Sequence, residues 1–117
     1  MAAPNIVNVT NIVGNTGVLN CSTSATAIVT NAAASNAVYK INSLYISNND
    51  AAVAYKVTID LYRSTTAYPL GVNISIPNGS TLDVVSKSIY LIEGDSLRIT
   101  AEANSKLVAV CSYEEIR

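Results

Sequence analysis

The stretch Val53-Ala-Tyr-Lys-Val-Thr-Ile-Asp-Leu-Tyr-Arg63 decides the fold class. Val53, Tyr55, Val57, Ile59 and Leu61 share one parity, while Lys56, Thr58 and Asp60 share the other. Side chains alternate faces along a strand, so this is a strand with one face on a core and one on solvent. Working outward, Leu70-Gly-Val-Asn-Ile-Ser-Ile76 alternates the same way and predicts Leu70, Val72, Ile74 and Ile76 facing inward. It stops at Pro77-Asn78-Gly79-Ser80, where proline presets φ and glycine supplies a permissive one.

Towards the C-terminus, Ser88–Ile92 leads into Glu93-Gly94-Asp95, which predicts a tight reversal with both carboxylates solvated. Leu97, Ile99 and Ala101 then share a face, and Ala103-Asn104-Ser105 turns the chain again. Lys106–Tyr113 is apolar in both parities and reads as a central strand. In the first half, Ile6–Val13 reads as a strand ended by a turn at Gly14-Asn15-Thr16-Gly17, with Val18–Ser22 as the next strand. Ala25–Thr30 is a short β-branched strand, and Ala32–Asn36 is either a loop or one helical turn. Val38–Asn48 changes phase, which predicts a β-bulge near Asn42-Ser43. Asn48-Asn49-Asp50 reads as a turn. Eight or nine strands at intervals of about ten residues predict one domain over residues 1–117, an all-β antiparallel sandwich of about eight strands, jelly-roll or immunoglobulin-like.

Composition narrows the function. Only 13% of residues are charged, against about 25% in ordinary domains, and His, Trp and Phe are absent. Net charge is −1 with no basic stripe, so nucleic acid is not an expected partner. No apolar run approaches the roughly 18–20 residues that span a bilayer, so a membrane is not expected either. Met1-Ala-Ala-Pro-Asn5 lacks the basic and apolar regions of a secretory signal. It reads instead as an extended arm in which Pro4 blocks helix, able to add to a neighbour's sheet edge. Half of the chain is apolar, so its neutral exterior predicts a structural subunit covered by other proteins.

The residues offer little chemistry. Ser and Thr are plentiful, but without histidine a hydrolase would need a Lys or carboxylate base, and Lys40, Lys56, Lys87 and Lys106 carry no accompanying signature. Glu93/Asp95 and Glu114/Glu115 are the only acidic clusters, one at a reversal and one at the chain end. No metal site and no cofactor are expected, since two distant cysteines cannot hold zinc and Asn48-Asn49-Asp50 lacks the spaced carboxylates of a calcium loop. Cys21 and Cys111 read as small buried apolar side chains in a reducing cytoplasm, or as a disulfide if their strands are neighbours. Asn8, Asn20, Asn73 and Asn78 open Asn-x-Ser/Thr triplets and read as turn and strand-edge residues. Tyr62, on the polar face, with Arg63 and Tyr68 is a candidate interface anchor, because Tyr and Arg concentrate at binding hot spots; an ordinary surface tyrosine is the alternative. Ala2, Ala3, Pro4 and Asn5 of the arm complete the candidate interface.

Ser86-Lys-Ser-Ile-Tyr-Leu-Ile-Glu-Gly-Asp-Ser-Leu-Arg-Ile-Thr-Ala101 and Ala103-Asn-Ser-Lys-Leu-Val-Ala-Val-Cys-Ser-Tyr-Glu-Glu-Ile116 resemble the C-terminal end of small virion proteins from tailed phages of marine cyanobacteria and similar hosts. Ala2-Ala-Pro-Asn-Ile-Val-Asn-Val-Thr10 and Val57-Thr-Ile-Asp-Leu-Tyr-Arg-Ser-Thr-Thr-Ala-Tyr68 are similar to the same group. The resemblance implies a non-enzymatic virion component assembled in the bacterial host cytoplasm, with no catalytic residues to transfer. A compact single sandwich further suggests a capsid decoration or cement protein, a homo-oligomer and usually a trimer, bound to the major capsid protein or other virion proteins. A neck, tail or fibre-associated sandwich touching the host surface is the alternative. For that reading, Asn48, Asn49, Asp50 and Tyr68 are the candidate carbohydrate contacts.

Overall fold

A computed structural model describes residues 11–85 and 87–117. Among these residues nine strands follow one another: β1 (Ile12–Asn20), β2 (Thr26–Thr30), β3 (Val38–Asn48), β4 (Tyr55–Arg63), β5 (Thr66–Ile76), β6 (Thr81–Asp83), β7 (Ile89–Leu91), β8 (Ser96–Ala101) and β9 (Leu107–Ile116). One sheet runs β1-β9-β3 and then β6 and β7, which pair with successive stretches of β3 and fill a single edge position. The second runs β2-β8-β4-β5. The pairing is nested: β1 with β9, β2 with β8, β3 with β6 and β7, and β4 with β5, all antiparallel. Such nesting is one long hairpin rolled up so that its limbs alternate between two facing sheets. That is the jelly roll, and it resolves the choice left by strand spacing.

The core fills the space between the sheets. From the first sheet come Ile41, Leu44, Ile46, Leu91, Leu107, Ala109 and Cys111; from the second come Val57, Ile59, Ile76, Leu97, Ile99 and Ala101. The phase change in β3 is a bulge: Ile41 pairs with Tyr113 and Ser43 with Ser112, leaving Asn42 extra. This bulge lets both Ile41 and Leu44 reach the core despite their opposite parity. The turns at Pro77–Ser80 and Glu93–Asp95 stand where expected, with Gly79 at φ 67° and Gly94 at φ 88°. β9 is central, between β1 and β3. Ala32–Asn36 is a turn closed by the Ser35 N–H on the Ala32 carbonyl at 3.3 Å.

Four expectations fail. Gly14-Asn15-Thr16-Gly17 is not a turn: β1 runs straight through it in unbroken register with β9, from Ile12 opposite Ile116 to Asn20 opposite Val108. A long partner strand holds all nine residues extended and overrides the local turn preference. Leu70 and Val72 point outward, because β5 carries two register shifts against β4 and Asn73 takes φ 52°; only Ile74 and Ile76 meet the core. Val53 precedes β4 and is exposed. Asp95, expected in solvent, is 1% exposed.

Both ends of the sandwich are tied by a buried asparagine. Asn31 Nδ2 donates to the Ala37 and Leu91 carbonyls at 3.0 and 2.9 Å, and its Oδ1 accepts from Ser35 Oγ. Asn48 Nδ2 donates to the Val53 and Ile76 carbonyls, both at 2.9 Å, while its Oδ1 accepts the Asp50 N–H. Each satisfies the backbone of a crossover between sheets, where ladder partners run out.

Candidate interaction surface

The two outer faces differ in kind. On the second sheet Arg98 in β8 lies opposite Asp60 in β4 and makes a forked pair with it, Nε to Oδ1 at 2.9 Å. The Arg98 guanidinium also sits 4.0 Å from the centre of the Tyr62 ring. Lys56, Thr58, Asn73, Thr100, Ala101 and Glu102 line a concavity of about 140 Å³ on this face. Drug-sized ligand sites start at roughly 300 Å³, so it is too small for a drug-sized ligand.

The outer face of the first sheet is neutral. Leu107, Ala109 and Cys111 of β9 point inward, so Val108, Val110 and Ser112 point out. Register assembles the face in rows: Val18, Val110, Tyr45 and Asp83 in one; Asn20, Val108, Ser47 and Thr81 in the next. Thr16, Ser112 and Ser43 form a third, and Gly14, Glu114 and Lys40 a fourth. An apolar belt of Val18, Val108, Val110 and Tyr45 therefore lies within hydroxyls and amides, with charges only at the margins. Val18 is 68% exposed and Tyr45 44%. Most charge elsewhere is consumed internally: Arg63 holds Asp95, Arg98 holds Asp60, Lys106 holds Asp50 and Arg117 holds Glu115.

The expected anchor residues are not brought together. Tyr62 pairs with Ala67, and Tyr68 with Leu61, so the two rings occupy opposite faces of the second sheet. Tyr62 is packed under Arg98, Arg63 is engaged with Asp95, and Tyr68 stands exposed on the edge strand. Ala2, Ala3, Pro4 and Asn5 lie outside the described residues. The carbohydrate contacts separate as well. Asn48 is buried at the Ile76 end of β5, eight residues from Tyr68, which is about 26 Å along a strand. Asp50 caps its own loop, accepting the Ala52 and Val53 N–H groups, and these bonds with Lys106 hold its carboxyl below the ordinary carboxylate range. Tyr45 and Val18 were missed by sequence reading. The usable signal was the second apolar parity of β9, which reports a half-covered face as well as a buried one.

Cys21 and Cys111 are free and buried. Their strands are neighbours, yet Cys111 stands opposite Gly17 and Cys21 beside Leu107, four residues apart along the ladder. That spacing, about 13 Å, is too long for an S–S bond. Burial pushes the Cys21 thiol up to about 11 and the Cys111 thiol up to about 12. Among the described residues no group of three or more acidic or Cys side chains is placed to hold a metal ion, and no helix is long and apolar enough to cross a membrane.

No protein-family description matches the chain, and no curated protein does. Among solved structures, a Bacillus endospore appendage, described as a novel family of disulfide-linked pili, is similar over 99% of this chain and 96% of its own, with 18% identity and TM-score 0.54. That likeness establishes a shared fold. Two structures of a pentameric capsid protein isolated from metagenomic phage sequences match 87% of this chain at 19% and 20% identity, with TM-scores 0.43 and 0.41. The chain spans about 60% of those capsid proteins' length, and they are too distant to bear on its role.

Proposed function

We propose that the protein is a non-enzymatic structural component of a phage virion, a decoration or cement protein that stabilises the head by binding across neighbouring shell subunits. The observation that carries the reading is the neutral outer face of the first sheet, where Val18, Val110 and Tyr45 form an uncovered apolar belt in a body whose charges are largely paired internally. Apolar surface of that kind is stabilised by being covered, and the low charge lets copies and partners approach without repulsion. The partner is the major capsid protein or another virion protein, and self-association, with a trimer as the usual form of such proteins, belongs to the same reading. The work is mechanical: each copy bridges shell subunits and opposes their separation under internal pressure.

Quantitative mass spectrometry of purified particles tests this directly. A decoration protein is present in copies comparable to the shell protein. A handful of copies per particle rejects decoration and favours the neck, tail or fibre position. Disulfide-linked polymerisation, described for the pilus of similar fold, finds no support in Cys21 or Cys111, which are both buried.

A further inference from the structure

We infer that β1 is a self-pairing edge, at which two copies of this chain join antiparallel about a two-fold axis centred on Thr16. Sheet edges invite pairing unless something prevents it. The other edges carry such devices: β5 has Pro69 and two register shifts, β2 is five residues long with a shift of its own, and β6 and β7 are three residues each. β1 has none. It is nine residues long, in unbroken register with β9, without proline and without a charged side chain.

The backbone is poised for it. Asn11 and Arg117 exchange both backbone hydrogen bonds at 2.9 Å, and the Cys21 N–H donates to the Leu107 carbonyl. Antiparallel ladders alternate, so odd-numbered residues of β1 bond to β9 while Ile12, Gly14, Thr16, Val18 and Asn20 aim their N–H and C=O groups at the open edge. Consistent with this, the Thr16 N–H is met at 3.0 Å by the Asn15 side-chain oxygen, a local bond that pairing would exchange for an inter-strand one. Among the described residues no strand occupies that edge.

Side chains identify a second copy as the occupant. Full-length antiparallel pairing about Thr16 sets Ile12 opposite Asn20 and Gly14 opposite Val18 of the other copy, bonding residue against bonding residue throughout. Gly14 is unexplained within one copy, because an added Cβ would meet nothing within 4 Å and its φ is not positive. Among the described residues Val18 is the most exposed large apolar one. The joint places that side chain over that gap, twice by symmetry. No charges meet, and the two neutral outer faces become one.

This inference replaces the trimer expected under the virion reading with a dimer and is tested apart from it: particle copy number tests that reading, and solution mass tests this one. Sedimentation velocity of the isolated chain should give a dimer. Thr16→Pro deletes an N–H that the β9 ladder does not use, so it should halve the sedimenting mass while the folded chain keeps the wild-type β-sheet circular-dichroism spectrum. Gly14→Lys, which has open space within one copy, should do the same. Thr16→Cys should form a disulfide-linked dimer on mild oxidation, since bonded antiparallel partners place their Cα atoms about 5.5 Å apart. A wild-type monomer, a trimer as the sole species, a dimer that survives Thr16→Pro or Gly14→Lys, or a Thr16→Cys variant that fails to cross-link would overturn it.

Discussion

Arg63 and Asp95 form a two-pronged pair across the rim of the second sheet, Nε to Oδ1 at 2.8 Å and a terminal nitrogen to Oδ2 at 2.5 Å. The partners are unequally buried: the arginine side chain is 41% exposed and the aspartate 1%. Asp95 Oδ2 also accepts the Ile92 N–H at 2.9 Å, so one carboxylate anchors both the reversal before β8 and the end of β4. Removing one partner of a buried pair costs more than the pair contributes net, because the other group is left without compensation. Arg63→Ala, which strands the buried carboxylate, should therefore lower unfolding stability by about 3 kcal/mol, read by urea denaturation. Arg63→Lys should cost less, keeping the charge while losing the fork. An Arg63→Ala variant as stable as the wild type would show that the fork contributes nothing.

Asn48 makes a parallel case without charge. Its amide satisfies two carbonyls and its oxygen one N–H, all at 2.9 Å, and the side chain is buried. Asn48→Ala leaves those groups unpartnered and should cost about 2–4 kcal/mol, since each orphaned buried group carries a penalty of about 1–3 kcal/mol. Asn48→Asp is the sharper comparison: it retains the acceptor but loses both donors and buries a charge. Both variants should lower the urea midpoint, with Asp the worse at neutral pH.

Legibility followed the kind of interaction. Period-two alternation marks a half-buried strand directly, so β4, β8 and β9 were readable, and the bulge at Asn42 showed as a parity change between Tyr39 and Leu44. Nested pairing was not readable, because which strand meets which depends on long-range packing. Gly14–Gly17 carries turn chemistry that a ten-residue partner overrides. Leu70 and Val72 obey the alternation rule only until bulges in β5 break it. Asp95 and Asn48 looked like solvent-facing turn residues because the partners that draw them in, Arg63 and the Ile76 carbonyl, are about thirty residues away in sequence. The arm residues Ala2–Asn5 lie outside the described structure. The uncovered face was not readable as such: the second apolar parity of Lys106–Tyr113 reads as a central strand, and only the register sets Val18 and Tyr45 beside Val108 and Val110.

The cysteines give a pH dependence with a definite sign. Both thiols are raised by burial, from 9.0 to about 11 for Cys21 and to about 12 for Cys111. Above pH 9 the unfolded chain releases protons that the folded chain retains, so stability is full below that pH and falls as pH rises towards 11 or 12. Urea midpoints should be flat from neutral pH to about 8.5 and then decline, and Cys21→Ala with Cys111→Ala should flatten the decline while lowering stability overall. The same burial predicts that a thiol reagent labels neither cysteine in the folded protein and both in urea. Rapid labelling of the native chain would contradict the buried placement.

Tyr45 tests the face itself. It stands in the row with Val18 and Val110, exposed, and its ring contributes to no buried cluster. Tyr45→Glu should therefore leave folding within about 0.5 kcal/mol of wild type, as surface substitutions generally do. Placed at the centre of an apolar contact, the same carboxylate must be desolvated without a partner, which is strongly unfavourable. Incorporation of the variant into particles should fall at least about tenfold, the equivalent of 1.4 kcal/mol, while Lys56→Glu on the opposite, charged face should incorporate normally. Particles carrying Tyr45→Glu at wild-type copy number, or losing Lys56→Glu instead, would move the contact to the other sheet.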